Sequence, residues 1–374
     1  MKKKSRKVNS GKVAELKPLR IRTGIIIVIV QWLLWMVIPS IFPGPWISTV
    51  GVLGGLAGGL AVMVWWTFFS RAQPFERWGG ILLWIVALFV AFRLTDDSIS
   101  TGMQGLMYFA YALPVLSLAF VLWAVVSRRF SEVKRRITMV VTIFLACGVW
   151  TLFRSDGMMG DSSIELEWRW SETHEEQLLS QTGEEQLLPA AFFETSESGA
   201  EWPGFRGILR NSIIDGLRIE TDWSVSPPDE LWRHPVGPGC SSFAVRGNFI
   251  YTQEQRGEDE VVSCYTLDAG KPVWKHHDEA RFWDSHAGAG PRGTPTLSNG
   301  RVYTLGATGI LNVLNADDGS VVWSRQTALD TEVKIPEWGI ASSPLVVEDL
   351  VIVATVGRVA AYDINTGTPR WFGP

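Results

Sequence analysis

A glycine followed four residues later by a tryptophan occurs three times, at nearly constant spacing, in the C-terminal part of this chain: Gly270 with Trp274, Gly319 with Trp323, and Gly367 with Trp371. Successive tryptophans lie 49 and 48 residues apart, and Pro295 recurs as Pro344 at an interval of 49. A fixed period of this length marks one supersecondary unit that is repeated and stacked. Within the period Thr294 to Arg325, turn signals at Asn299-Gly300, Thr308-Gly309 and Asp318-Gly319 separate short apolar runs. A two-residue I′ turn needs positive φ at both central positions, which Gly adopts without steric cost. Three turns delimit four strands, so the pattern predicts a propeller blade; a β-sandwich would require the tryptophan spacing to be coincidence.

The closing segment Tyr362-Asp363-Ile364-Asn365-Thr366-Gly367, followed by Trp371, resembles the tryptophan-docking repeat of the pyrroloquinoline-quinone (PQQ) type β-propellers. Trp202-Pro203-Gly204-Phe205-Arg206-Gly207 is similar to the Trp-Pro-aromatic segment that opens many of them, where it helps to close the ring. This resemblance covers residues 202–374. It implies a fold more firmly than a function, because the superfamily holds both quinoprotein dehydrogenases and the non-enzymatic BamB-type assembly factors of the outer-membrane β-barrel machinery. Asp229 to Val236 reads as an outer strand with Trp232 in the docking place, and the charged excursion Gln255 to Glu260 as a solvated loop. From Trp202 to Pro374 there is sequence for about three to four blades of this period, so the expected ring is incomplete: a fragment of a longer protein, or a four-bladed or oligomeric closure.

The N-terminal half is of another kind. The chain is 47% hydrophobic with 19 Trp and only 19% charged residues, and most of the apolar residues precede position 154. Five apolar segments, Thr23 to Phe42, Trp46 to Phe69, Gly79 to Leu94, Met103 to Val126 and Ile137 to Phe153, predict about five membrane spans, the third short enough to be tilted or partly buried. The first lacks a small-x-small cleavage site after it and reads as a retained anchor. The arm 1–22 carries nine Lys/Arg against one Glu, and with an apolar run at once behind it the arm reads as membrane-flanking and not as a nucleic-acid contact.

Positive charge recurs in alternate loops, with Arg71 and Arg77 in one and Arg128, Arg129, Lys134, Arg135 and Arg136 in another. The positive-inside rule therefore expects a cytoplasmic N-terminus in the inner membrane, five crossings (23–153), and everything beyond on the periplasmic or extracytoplasmic side. The apolar cores lack ionisable groups apart from Arg93 at the frayed end of the third, which argues against an ion or proton pathway. Gly51, Gly55 and Gly59, with Gly54 and Gly58, form small-residue stripes suited to close helix packing, and Trp46, Trp65, Trp66 and Trp78 read as interfacial anchors. Residues 154–201 carry twelve Asp/Glu against two Arg and repeat Glu-Glu-Gln-Leu-Leu at 175–179 and 184–188; they read as an acidic linker with marginal amphipathic turns.

Binding in a propeller belongs to the loops that lead into each blade's first strand, here Arg233 to Ser241, Lys275 to Gly293 and Gln326 to Ser342. They hold Trp283, Asp284, His286, Arg292, Lys334, Glu337 and Trp338. The five-span-plus-propeller layout resembles the membrane-bound quinoprotein glucose dehydrogenases. That resemblance implies His286 and the pair Arg292-Gly293, with Trp283 beside them, as contacts of a PQQ cofactor accompanied by Ca²⁺. No zinc-ligand spacing occurs, and a Cys240–Cys264 disulfide is left open. Two functions follow: a membrane-tethered scaffold that holds protein partners through its propeller loops, or a PQQ-dependent dehydrogenase that oxidises a sugar or alcohol and passes electrons to membrane quinone. The orientation is testable in a cysteine-free background. A membrane-impermeant thiol reagent should label a cysteine placed at Ser180 in spheroplasts and spare one placed at Ser131; the reverse pattern would refute it.

Overall fold

The computed structural model describes residues 20–42, 44–158, 164–181, 200–216 and 218–374. The basic arm up to residue 19 and the second Glu-Glu-Gln-Leu-Leu copy lie outside the described residues. The chain divides into two compact units, the helical residues up to Ser155 with Met159–Arg169, and Asp156–Met158 with Trp170–Pro374.

Five helices in the first unit are long and apolar enough to cross a membrane: Ile21–Ile41, Trp46–Phe69, Pro74–Leu94, Met107–Arg129 and Glu132–Leu152. The third is not short. Pro74 occupies its first turn, where a missing N–H costs nothing, so the helix starts before the apolar run and reaches 21 residues. Its first turn thereby takes in Glu76, a buried carboxylate paired with Arg135 and Arg136 of the fifth helix. Sequence patterning missed this pair because both partners lie outside the apolar windows.

The glycines of the second helix admit bulk from its neighbours. A Cβ on Gly58 would collide with Gln31, one on Gly54 with Leu34, and one on Gly59 would press on Leu113. Gln31 reaches through this face, its Nε2 donating to the Gly55 carbonyl at 2.7 Å. Trp65 and Trp66 do not point outward as belt residues would: both are buried in the bundle, Trp66 against Phe120 and Trp123 and Trp65 over Gly24 with its N–H on the Arg20 carbonyl at 3.0 Å, while Trp46 and Trp78 are exposed. The helix end turns these two indoles inward, a direction that hydropathy does not encode.

The second unit is a series of antiparallel sheets. Sheet one comprises Ala244–Gly247, Phe249–Arg256, Asp259–Thr266 and Pro272–Glu279, with Ala200–Trp202 added beside its first strand. Sheet two comprises Thr296–Ser298, Arg301–Leu305, Ile310–Asn315 and Val321–Gln326; sheet three, Leu345–Val347, Leu350–Ala354, Val359–Asp363 and Pro369–Gly373. The turn chemistry works as its residues dictate, with Asn299 at φ 49° and Gly300 at φ 70°. In each sheet the register slips between the third and fourth strands, at Cys264/Tyr265, Val313/Leu314 and Ala361/Tyr362. That bulge sharpens the twist immediately before the glycine and tryptophan of the repeat.

The first strands of the three sheets are neighbours, and hydroxyl groups link them. Ser242 N–H donates to Thr294 Oγ1 at 3.1 Å, and Thr294 N–H to Ser343 Oγ at 3.0 Å. The fourth strands are joined differently. The Trp232 ring covers Gly270, Trp274 covers Gly319, and Trp323 covers Gly367; a Cβ on these glycines would come within 2.5, 2.5 and 2.7 Å of an indole carbon. Each indole N–H also donates to a carbonyl at the head of the same turn, Leu267 at 2.9 Å, Ala316 at 2.8 Å and Ile364 at 3.0 Å.

Two sequence expectations need correction, and the open pairing of two cysteines is answered. Residues 229–236 form no strand, since Pro227, Pro228, Pro235 and Pro238 deny the segment ladder donors; Trp232 keeps its dock nonetheless. The excursion Gln255 to Glu260 is a tight hairpin with the turn at Gly257-Glu258, and Gln255 and Glu260 are buried. Cys240 and Cys264 are free thiols, the first exposed and the second buried. In the acidic segment, His174–Gln181 is helical and belongs to the second unit, where Glu175 pairs with Arg281 at 2.9 Å and accepts from the Gly257 N–H at 2.8 Å.

If the indoles dock the sheets to one another, truncation must cost more where a sheet follows. Trp323 is 8% exposed and Trp371 is 44% exposed. Trp323→Ala should cost about 3–5 kcal/mol and Trp371→Ala about half that or less, read by pulse proteolysis of the detergent-solubilised chain across a urea series. Equal losses would refute the docking assignment.

Candidate functional site

The fourth strand of sheet one runs on to Glu279, so the loop into sheet two is 280–293, shorter than the stretch from Lys275 that the sequence offers. It folds on itself as a small hairpin in which Trp283 pairs with Ala289 and Asp284 with Gly288. Gly288 at φ 73° and Gly290 at φ 96° make that reversal, and a side chain at Gly290 would strike the Pro238 carbonyl. The neighbouring loop is tied in by Cys240 N–H donating to the Pro291 carbonyl at 2.9 Å.

Asp284 organises the hairpin. Its Oδ1 accepts from His286 N–H at 2.7 Å and Ala287 N–H at 2.9 Å, and its Oδ2 accepts from Arg292 Nη2 at 2.5 Å. Burial alone would raise this carboxyl, but the two backbone donors and the guanidinium outweigh it and hold Asp284 below the usual carboxylate range. Arg292 Nη2 donates also to the Gly288 carbonyl at 2.8 Å, and the guanidinium lies 5.1 Å from the Phe282 ring centre. With its side chain 5% exposed, Arg292 holds the loop together from inside.

The sequence-derived residues thus meet around one carboxylate but face different ways. Arg292 is internal. His286 is exposed, its Nδ1 3.8 Å from Asp284 Oδ1. Trp283 is exposed on the hairpin. Gly293 serves packing, since a Cβ there would lie 2.7 Å from the Ser342 carbonyl of the next sheet's approach. Its own carbonyl accepts from Gln253 Nε2 at 2.8 Å. The loop into sheet three touches the same place, where Gly339 at φ 73° packs on Phe282. Trp283 and Trp338, each next in sequence to a member of that contact, are both exposed.

Arg292 also faces Glu260 at the start of the third strand of sheet one. Burial pushes the Glu260 carboxyl up to about 7; the Ala307 N–H and the Arg292 guanidinium only partly oppose this, and the Asp278 carboxylate adds to it. Sequence reading passed over Glu260 because a charge run beside a turn ordinarily faces water. Among the described residues no group of three or more His, Cys, Asp or Glu side chains converges.

Comparison with known proteins bears on this unit alone. The family model described as outer membrane protein assembly factor BamB matches residues 224–374. The BamB proteins of Shewanella oneidensis and of Escherichia coli K12 are each 28% identical, over 155 and 152 residues, which is 38% of this chain and 36% of theirs. The matched stretch therefore spans little more than a third of the length of these relatives. Among solved structures, the quinohemoprotein alcohol dehydrogenase of Comamonas testosteroni is 19% identical, covers 50% of this chain and 29% of that one, and superposes with a TM-score of 0.37, a likeness too slight to speak to cofactor or substrate. With three successive indole docks and this match, residues 224–374 are similar to the PQQ-type repeats of the BamB proteins.

Proposed function

We propose that this chain is a multi-pass protein of the inner membrane that carries PQQ-type repeats on the extracytoplasmic side as a scaffold for protein partners. The observation that carries the reading is the pair of exposed indoles, Trp283 and Trp338, held on adjoining loops by the Phe282–Gly339 contact. Tryptophan presents a large apolar area with few torsions to immobilise, and anchors of protein interfaces are rich in it. The five apolar helices supply the tether and the bilayer contact.

The dehydrogenase reading asks for a different arrangement. A PQQ cofactor, a planar tricarboxylate, requires a guanidinium turned outward, and here both of Arg292's recorded acceptors on Nη2, Asp284 and Gly288, are its own loop. Freeing it would leave Asp284 buried without its cation. The residues present do not fit the cofactor, and no redox step is assigned to them. Sequence similarity to BamB supports the scaffold over residues 224–374, and the partners of this chain are to be found by experiment.

A photo-crosslinking residue at Trp283 or Trp338 in living cells should yield the same discrete protein adducts, and one at the exposed Val321, which opens the fourth strand of sheet two, should not. Purified protein supplied with PQQ and Ca²⁺ should reduce no dye with glucose or simple alcohols. Turnover above the cofactor-free control, abolished by Arg292→Ala, would overturn the scaffold in favour of the enzyme.

A further inference from the structure

Between sheets one and two the chain breaks its own period. Counting from the docked tryptophans, the places of Glu260 and Asp278 in sheet one are taken in sheet two by Gly309 and Thr327, and the place of Asn312 is taken in sheet three by Ala360. At those places the gap between sheets two and three carries no charge, Thr327 Oγ1 donating to the Gly309 carbonyl at 2.8 Å, while the acid it does hold, Asp330, is answered by Arg325 and by the Tyr362 hydroxyl. A carboxylate pair at the places of Glu260 and Asp278 is therefore no requirement of the repeat.

In the first gap the two carboxylates border a small cavity lined by Gln253, Glu260, Asp278, Thr304, Gly306 and Asn312 together with three aliphatic residues, with room for about one water-sized body. Its amide and backbone donors are spent. Asn312 Nδ2 donates to Asp278 Oδ2 at 2.6 Å, Gln253 Nε2 is committed to the Gly293 carbonyl, and the Ala307 N–H to Glu260 Oε1 at 2.9 Å. Beyond the Thr304 hydroxyl, what remains is acceptors. Asn312, 2% exposed, has its Oδ1 buried with no hydrogen-bond partner, beside the carboxylates of Glu260, 5% exposed, and Asp278. The basic side chains around them are Arg292 towards Glu260, whose Nη2 is taken by Asp284 while its Nε is buried without a partner, and His276, whose Nε2 lies 3.4 Å from Asp278 Oδ1 without a hydrogen bond. Gly306 keeps the space open, since a Cβ there would overlap Glu260 Oε2.

A water molecule can donate only two hydrogen bonds and would leave part of this acceptor set unanswered, whereas a cation answers all of it. We propose that the cavity between sheets one and two binds a single hard, oxygen-preferring divalent cation of the Ca²⁺ class, held by Glu260, Asp278 and the Asn312 amide oxygen, with the Thr304 hydroxyl and Gln253 amide oxygen in reach. The mixed, irregular oxygen set suits Ca²⁺ better than the octahedral demand of Mg²⁺, and nothing soft is offered for zinc. The cation sits among second, third and fourth strands, away from the first strands, and joins the two sheets that the Trp274 dock holds at their other end.

The test uses the full chain in detergent, stripped with EDTA, without PQQ. Equilibrium dialysis with CaCl₂ should find one saturable site, and a hundredfold excess over Kd should raise the thermal midpoint of the repeat unit by roughly 5–10 °C. Glu260→Gln and Asn312→Leu should each weaken binding at least tenfold. Without Ca²⁺, Glu260→Gln should melt at or above the wild type, because a buried carboxylate is gone; with Ca²⁺ the order should invert. A purely structural Glu260 would instead give a variant less stable under both conditions, and that result overturns the proposal. So does Ca²⁺ binding that survives both substitutions, which marks an adventitious ion only, or the absence of any bound Ca²⁺ and any midpoint shift.

Discussion

The indole that covers a glycine in the next sheet is the contact on which the rest of the repeat unit depends. A docked tryptophan removes on the order of 150–250 Å² from water, worth about 4–6 kcal/mol at 25 cal/mol per Å² as an upper bound, and its N–H adds about 1 kcal/mol. The glycine is needed twice over at one position: positive φ makes the turn, and the missing Cβ lets the ring lie on the backbone. Because the acceptor of each indole is the carbonyl opening the same turn, ring and turn fix each other. A tryptophan displaced by one residue would point to the other face of its strand and lose both partners.

How far the fold could be read from residues follows from this. A contact that recurs at the same offset leaves a periodic trace, so Trp274, Trp323, their glycines and the four strands between them were legible. Trp232 was legible as a dock and misread as a strand, because a dock needs one ring and one N–H while a strand needs a ladder that four prolines refuse. The helical unit shows the same division. The apolar length of each span and the glycine face of the second helix are properties of one segment. The inward turn of Trp65 and Trp66, and the pairing of Glu76 with Arg135, depend on which helix lies opposite, and no local pattern carries that.

The loop site was legible in its membership and not in its direction. Asp284, His286 and Arg292 do come together, as residue types in one long loop suggested. What composition could not convey is that Asp284 accepts from three donors of its own loop and so turns the guanidinium inward. A carboxylate with two backbone N–H partners is a better sink for Arg292 than water is, and the ring of Phe282 closes the remaining face. The cation that a ligand would have used is thereby converted into a brace. What stays outside is His286 and two indoles, Trp283 and Trp338, on a base that Arg292 has stiffened.

Where the second gap has Gly309 and Thr327, the first gap has two carboxylates. Burial of Glu260 costs stability at any pH where it is ionised, and the Arg292 guanidinium opposes that cost only in part. A neutral solution at these two places was available in the same chain, since Thr327 and Gly309 fill them with a hydrogen bond between them. A departure from the period that weakens the fold, in a chain whose local choices elsewhere agree with the repeat, is the pattern expected where a position answers to something other than folding. Sheet two serves as the internal control for sheet one: at the matching places it holds Gly309 and Thr327, and its one acid in the gap, Asp330, is paired with Arg325, whereas Glu260 and Asp278 of sheet one border an unpartnered amide oxygen.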